Sequence, residues 1–286
     1  MDQPSALREM LDSDDLLIAP GAFDGLSARL VELAGFSVVY ASGGAISRAA
    51  GLPDIGLLSL TEVVERMSRI VDATDLPVIG DADTGFGNAI NVHRTAREFA
   101  RIGIAAFHLE DQTFPKRCGH LNDKSVIPTD EMVQKIKAAK DAVGSSGPMV
   151  IARTDAIAVE GFDAAIERAI AYDEAGADVV FVEAPERPEH IAAIPRITHK
   201  PTLINMFSGG KTPVVVPEKL RELGYRIVII PSDLQRAAIR AMQRTLDVIM
   251  RDGNSSAIED QLATFTEREQ IARTEEFLAI DQRLGV

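Results

Sequence analysis

Short apolar runs alternate along the chain with longer stretches of helical period. Leu16–Ala19, Ser37–Ala41, Pro77–Gly80, Ala105–Glu110, Met149–Ala152, Asp178–Glu183, Thr202–Met206 and Arg226–Ile230 are brief, rich in Val and Ile, and apolar on both faces. That pattern predicts strands of a parallel sheet covered on both sides. Between them the spacing predicts helices over Asp24–Ala34, Thr61–Ala73, Val92–Ile102, Thr129–Val143, Asp163–Ala175 and Glu218–Leu223, with Thr61 as an N-cap. Gly35, Gly103, Gly144, Gly176 and Gly224 stand just past helix ends, where a left-handed C-cap favours glycine.

Repeated β-then-α units without a long linker predict a (β/α)8 barrel of the TIM type. The rival is a doubly wound open sheet with a glycine-rich dinucleotide loop after its first strand. Pro20-Gly21-Ala22-Phe23-Asp24 stands there and lacks that fingerprint. The chain runs on past the eighth strand. Asp233–Met250 is amphipathic, with Leu234, Ala238, Ala241 and Leu246 on one face, and Gly253-Asn254-Ser255-Ser256 breaks it. Ser256-x-x-Glu259 and Thr266-x-x-Glu269 have capping-box spacing, so two more helices are expected, with Ile271, Phe277 and Leu278 for burial. The chain is therefore read as one barrel domain over 1–286. Its core spans about 1–232, and 233–286 supplies closing helices that need a surface to cover, such as a neighbouring subunit.

Composition narrows the function. A net charge of −13 argues against nucleic acid or an anionic membrane as the main partner, though a local cation cluster can still bind a small anion. The single cysteine excludes an internal disulfide and fits a reducing compartment. The stretch Met1 to Asp15 is polar and acidic, unlike a signal peptide, and no apolar run approaches membrane-spanning length. A cytoplasmic protein is expected.

Polar residues gather where the strands end, the rim on which barrel enzymes carry their chemistry. They are Tyr40-Ala41-Ser42-Gly43-Gly44, Asp81 and Asp83, Glu110 and Asp111, Arg153-Thr154-Asp155, Glu183 and Asn205. An isolated Asp-x-Asp is usually a loop cap or a surface charge. Asp81 and Asp83 would share one face of an extended strand end, and with Glu110 they offer oxygen ligands to a hard cation, Mg2+ or Mn2+. The lone cysteine lies in Lys116-Arg117-Cys118-Gly119-His120, among cations and glycine that tune and present a thiol. Lys116, Arg117, His120 and Arg153 suit binding of substrate carboxylates. Cys118 reads either as a thiolate nucleophile or as a proton donor. Ser208-Gly209-Gly210-Lys211-Thr212 imitates the tail of a P-loop, but Asn205 occupies the position of its first glycine. The other histidines have no zinc spacing, and His108 reads as a hydrogen-bonded interior residue.

These motifs resemble the isocitrate lyase and phosphoenolpyruvate mutase superfamily. The resemblance rests on Lys116–His120, Tyr40–Gly44, Gly51-Leu52-Pro53-Asp54, Asp81-Ala82-Asp83-Thr84-Gly85-Phe86-Gly87, His108-Leu109-Glu110-Asp111-Gln112 and Ile151–Asp155, and spans roughly residues 15 to 250. Within the superfamily it is strongest to lyases of the 2-methylisocitrate or 2,3-dimethylmalate type. It implies a homotetramer, a dimer of dimers whose subunits exchange terminal helices. It also implies Mg2+ near Asp81, Asp83 and Glu110. Ser42, Gly43 and Gly44 would bind an α-keto acid carboxylate through backbone N–H groups, with Arg153 assisting and Asp54 nearby. Tyr40 would stand beside the hydroxyl that loses its proton. Lys116, Arg117, Cys118, Gly119 and His120 would form a gate loop. Glu183, Asn205, Phe181, Ile229 and Pro231 would wall the pocket. The implied reaction is a retro-aldol type C–C cleavage with Cys118 as general acid. Hydrolysis or decarboxylation of oxaloacetate is the alternative, and a catalytically idle barrel is a rival of another class.

Overall fold

The structure is a computed structural model, described here for residues 2–119 and 123–285. Eight parallel strands close a barrel in sequence order. They are β1 (Leu17–Ala22), β2 (Val39–Ala41), β3 (Val78–Asp81), β4 (Ala106–Glu110), β5 (Met149–Thr154), β6 (Val179–Val182), β7 (Thr202–Asn205) and β8 (Ile227–Ile230). Leu17 pairs with Ile227 and Ala19 with Ile229, which closes the ring between first and last strands. The helices are α1 (Gln3–Asp12), α2 (Gly25–Leu33), α3 (Gly43–Ala49), α4 (Leu60–Val71), α5 (Ala89–Arg101), α6 (Thr129–Val143), α7 (Ile157–Glu160), α8 (Phe162–Glu174), α9 (Pro188–Ala193), α10 (Pro217–Leu223), α11 (Asp233–Asp252), α12 (Phe265–Ile271) and α13 (Thr274–Leu284).

Side chains alternate across each strand, so every second residue faces the barrel axis. Ala19, Tyr40, Ile79, Ala106, Met149, Ile151, Val179, Phe181, Leu203, Ile227 and Ile229 fill the interior as one buried cluster. The intervening residues, among them Val39, Val78, Phe107, Leu109 and Val150, pack outward against Met67 and Ile70 of α4, Phe99 of α5 and Ile136 of α6. Each large side chain so buried contributes about 1.5–3 kcal/mol. Such two-sided burial is why the strands read as continuous apolar runs.

The structure adds elements that the pattern did not predict. In α1, Leu7 and Leu11 stand one turn apart and join the interior cluster, closing the N-terminal mouth. Arg8 Nη2 donates to Gly147 O at 2.5 Å, just before β5, and Arg226 Nη2 donates to Leu11 O at 2.8 Å, just before β8. The cap of α4 is Ser59, in a capping box with Glu62, and Thr61 lies inside the helix. Gly35, Gly103, Gly144, Gly176 and Gly224 all take positive φ at their helix ends, as expected.

Residues Leu234–Val286 form a second compact unit. Its capping box is Thr264 with Glu267, two residues before the predicted one, and Ser256 opens a short 3-10 turn. Phe277 and Leu278 are 65% and 53% exposed in the single chain rather than buried. No helix among the described residues is long and apolar enough to cross a membrane.

Candidate active site

The inward-facing register continues past the last apolar layer and turns polar at the C-terminal rim. Ile79 leads to Asp81, Ala106 to His108 and Glu110, Ile151 to Arg153 and Asp155, and Leu203 to Asn205. One face of each strand therefore serves both the barrel core and the site. Asp81, His108 and Glu110 each present a ligand atom, all within 4.8 Å of one another, and all three residues are buried. Tyr40 Oη lies 2.7 Å from His108 Nε2 and donates to Asp81 Oδ2 at 3.3 Å.

Asp83 leaves the extended path. Its φ is +47, a left-handed conformation that Asp tolerates better than most residues. Its N–H donates to Asp81 Oδ1 at 3.0 Å. Its carboxylate meets Lys116 Nζ at 2.9 Å, and the same ammonium pairs with Asp54. Asp81 and Asp83 thus diverge at their tips, and His108 stands with Asp81 and Glu110 instead. The interior hydrogen bonding expected of His108 is present, in a position where its imidazole also borders a cation site.

Arg153 ties the opposite wall together. Its guanidinium reaches Glu110 Oε2 at 3.3 Å, Asp155 Oδ2 at 2.8 Å and Glu183 Oε2 at 3.4 Å, and lies 5.3 Å over the Phe181 ring. Asn205 Nδ2 donates to Glu183 Oε1 at 3.5 Å. Ile229 is buried, and Pro231, half-buried, passes close to Gly21, where any Cβ would stand 2.2 Å from the Pro231 carbonyl oxygen.

Gly43 and Gly44 open α3, capped by Ser42 Oγ accepting from Ala45 N at 3.3 Å. A Cβ on Gly43 would stand 2.6 Å from Asp81 Oδ2, so backbone lies directly against the carboxylate. First-turn N–H groups have no carbonyl partner within their own helix, which leaves two amides at the rim.

The segment after β4 lies over this same mouth. Lys116, through Asp54 and Asp83, anchors one point of it. At Gly119 a Cβ would meet Arg153 Nη2 at 2.6 Å and Glu183 Cγ at 2.9 Å. Cys118, between these anchors, is half-buried. Arg117 is half-exposed, with Nη1 3.6 Å from Asp123 Oδ2. His120 lies outside the described residues.

Burial sets the electrostatics. It raises the Glu110 carboxyl well above its ordinary value despite Arg153. It pushes Asp83 up to about 6, against the pull of Lys116 and with the help of Asp81. His108 falls to about 3, from burial and then Arg153, so its imidazole is neutral. The Tyr40 phenol rises well above its ordinary value, from burial and the Asp81 charge. Lys116 and Arg153 rise because surrounding carboxylates outweigh burial. The carboxylates Asp54, Asp81, Asp83, Glu110, Asp155 and Glu183 outnumber the cations Lys116, Lys124 and Arg153. This wall calls for added positive charge. Glu110 Oε1 is buried without a hydrogen-bond partner, and with Asp81 it supplies the hard oxygen donors that Mg2+ or Mn2+ prefers. A bound cation would favour the ionised carboxylate that burial opposes.

Four residues escaped sequence reasoning: Lys124, Gln112, Arg168 and Tyr172. Lys124 donates to Asp155 Oδ1 at 2.8 Å and to Gly119 O at 2.6 Å. Gln112 lay inside a recognised motif with no role of its own. Arg168 on α8, with Tyr172, holds Asp111 from outside the barrel: Tyr172 Oη donates to Asp111 Oδ2 at 2.8 Å. Only Asp111's position beside Glu110 hinted at that buried network.

The family model described as phosphoenolpyruvate phosphomutase matches residues 7–250. A 2,3-dimethylmalate lyase of Eubacterium barkeri is 42% identical over 93% of this chain and 93% of its own length. A 2-methylisocitrate lyase of Aeropyrum pernix is 45% identical over 91% of this chain and 84% of its own. A crystal structure of 2,3-dimethylmalate lyase superposes with a TM-score of 0.94 at 34% identity, covering 100% of this chain and 96% of that one. A phosphonopyruvate hydrolase in complex with oxalate and Mg2+ superposes with a TM-score of 0.90 at 32% identity, covering 99% of each chain. With the family model matching residues 7–250 and these relatives covering almost the whole chain, the protein belongs to the lyase branch of the phosphoenolpyruvate mutase and isocitrate lyase superfamily.

Proposed function

We propose that the protein cleaves a C–C bond of a methyl-branched 2-hydroxy di- or tricarboxylic acid, of the 2,3-dimethylmalate or 2-methylisocitrate type. The products are pyruvate or another α-keto acid and a second carboxylic acid. The observation that carries this reading is the seating of Lys116 and Gly119, either side of Cys118, on Asp83 and Arg153 at one barrel mouth. The backbone that carries Cys118 is thus held at the same mouth as the carboxylate wall and the Arg153 guanidinium, which supports this reading.

Asp81 and Glu110 would hold Mg2+, or Mn2+, with Asp83 beside them. When bound there, the cation acidifies a chelated hydroxyl and stabilises the oxygen of the forming ketone. The protein's own groups do the rest. The rim amides of Gly43 and Gly44, with Ser42 and Arg153, hold the carboxylate of the keto-acid half. The Tyr40 phenol keeps its proton and donates a hydrogen bond beside the reacting hydroxyl. As that hydroxyl passes its proton to a carboxylate of the wall, the electron pair of the C–C bond passes to the departing carbon, next to the substrate's own carboxylate. Cys118 Sγ delivers a proton to that carbon. Lys116 and Gly119, seated on the wall, exclude water from the carbanion. Phe181, Ile229 and Pro231 offer an apolar surface to a methyl branch, worth about 1–3 kcal/mol of selectivity per methyl.

A second reading, hydrolysis or decarboxylation of oxaloacetate, draws on Ser232. Its Oγ is buried without a hydrogen-bond partner next to Pro231. The test is a panel of 2,3-dimethylmalate, 2-methylisocitrate, related alkylmalates and oxaloacetate with Mg2+. Pyruvate release from a methyl-branched acid supports the lyase, whereas oxalate and acetate from oxaloacetate alone replaces it with the hydrolase.

The second unit supports assembly. Met242, Leu246 and Met250 of α11 are 57%, 63% and 88% exposed in the single chain, an apolar surface that association would cover. A homotetramer is the reading, and light-scattering mass in solution decides it.

A further inference from the structure

The loop that carries Cys118 rises from a two-armed stem. Gln112 forms an antiparallel bridge with Val126, and Thr113 N donates to Ser125 O at 2.9 Å. The stem is moored to the barrel: Ile127 N donates to Asp111 O at 2.8 Å, and Arg168 Nη1 donates to Ile127 O at 2.8 Å. One side chain from each arm then reaches a residue adjoining the cysteine. From the first arm, Gln112 Nε2 donates to Arg117 O at 2.8 Å and Gln112 Oε1 accepts from Arg117 N at 2.9 Å. From the second, Lys124 Nζ donates to Gly119 O at 2.6 Å while bound to Asp155 Oδ1 at 2.8 Å. Gln112 is 1% exposed, and the Lys124 side chain is also 1% exposed. Asp155 in turn accepts from Arg153 Nε at 2.8 Å, so one carboxylate fixes both the guanidinium and the loop.

We propose that Gln112 and Lys124 form a two-point bracket that sets where the Cys118 thiol stands. They are positioning residues, and their effect on turnover rests on the lyase reading above. A cysteine side chain has one rotor, so holding the backbone on both sides leaves Sγ only staggered positions. Gln112 is suited because one amide both donates and accepts, closing a ring on the Arg117 backbone. Lys124 is suited because its ammonium has donors for a carbonyl and a carboxylate together. A proton donor displaced by about 1 Å can lose ~100-fold in rate.

The single cysteine makes the test specific. Iodoacetamide alkylation of Cys118, followed by mass spectrometry, reads thiol presentation without any substrate. Lys124→Met and Gln112→Leu are each expected to alkylate ~10-fold faster than the parent, while Lys124→Arg stays within ~3-fold. Removing a cation raises a nearby thiol's pKa and slows alkylation, so acceleration in Lys124→Met reports release of the loop. On whichever acid is cleaved, each variant is expected to lose ~100-fold in kcat with KM within ~3-fold. In a Cys118→Ser background the same substitutions are expected to change the residual rate by less than ~2-fold. Unchanged alkylation in a folded Lys124→Met or, should that variant not fold, in Gln112→Leu overturns the bracket. So does an undiminished rate loss in the Cys118→Ser background. Accelerated alkylation in a protein whose parent cleaves no acid upholds the bracket and removes the lyase reading.

Discussion

Lys116 Nζ lies 2.9 Å from Asp83 Oδ1, joining the cysteine loop to the end of the third strand unit. The two side chains are 5% and 16% exposed, and Asp54 shares the same ammonium. Breaking a buried pair from one side leaves an uncompensated charge and costs ~3 kcal/mol. Lys116→Met is therefore expected to lose about that much in urea denaturation. Adding Asp83→Asn should recover part of it, because one stranded charge is gone. A double variant no more stable than the single one contradicts the pairing.

Gly43 has no room for a side chain. A Cβ there would stand 2.6 Å from Asp81 Oδ2 and 2.8 Å from its Cγ, so Gly43→Ala must push the carboxylate or lift the start of α3. The expected outcome is at least ~100-fold lower turnover, with little change in the thermal midpoint, since the displaced group is part of the site. Turnover within a few-fold of the parent would show that Asp81 need not stand where it does.

Metal removal should be reversible. The buried, unpartnered Oε1 of Glu110 and the Asp81 carboxylate await positive charge. EDTA is expected to abolish pyruvate release. Mg2+ or Mn2+ should restore it and Ca2+ should not, because the larger ion takes longer bonds and more ligands. Full activity in EDTA would exclude the divalent site.

Asp155 supplies the pH dependence. Burial works against its charge, but Arg153 and Lys124 outweigh burial and hold its carboxyl below the ordinary value. A group depressed on folding lends stability above its unfolded pKa, near 4, and withdraws it as pH falls toward the folded value. Asp155→Asn is expected to be less stable at neutral pH and to lose less stability than the parent between about pH 5 and pH 2. Parallel acid limbs for the two proteins would contradict the assignment.

The strands were legible because burial on both faces makes them continuous apolar runs. Their ends were less so. β5 runs on through Arg153 and Thr154, since rim residues keep the ladder hydrogen bonds while their side chains turn polar. α3 was hidden because Gly43-Gly44 reads as a turn, yet Gly43 is there for the close approach to Asp81 and Gly44 for the close approach to Asp54. α1 was hidden because only Leu7 and Leu11 of its residues are buried, too few to mark a period. The rim carboxylates could be read from strand ends. The left-handed turn at Asp83 could not, and neither could the bonds from Gln112 and Lys124, which depend on how the loop folds back over the barrel.

The most direct test of Cys118 as proton donor is turnover by Cys118→Ser on the acid that the parent cleaves, with oxalate binding measured alongside. A hydroxyl is a far weaker acid than a thiol, so pyruvate release should fall by at least ~100-fold while oxalate still binds in the presence of Mg2+. Near-parental turnover in that variant would contradict the account.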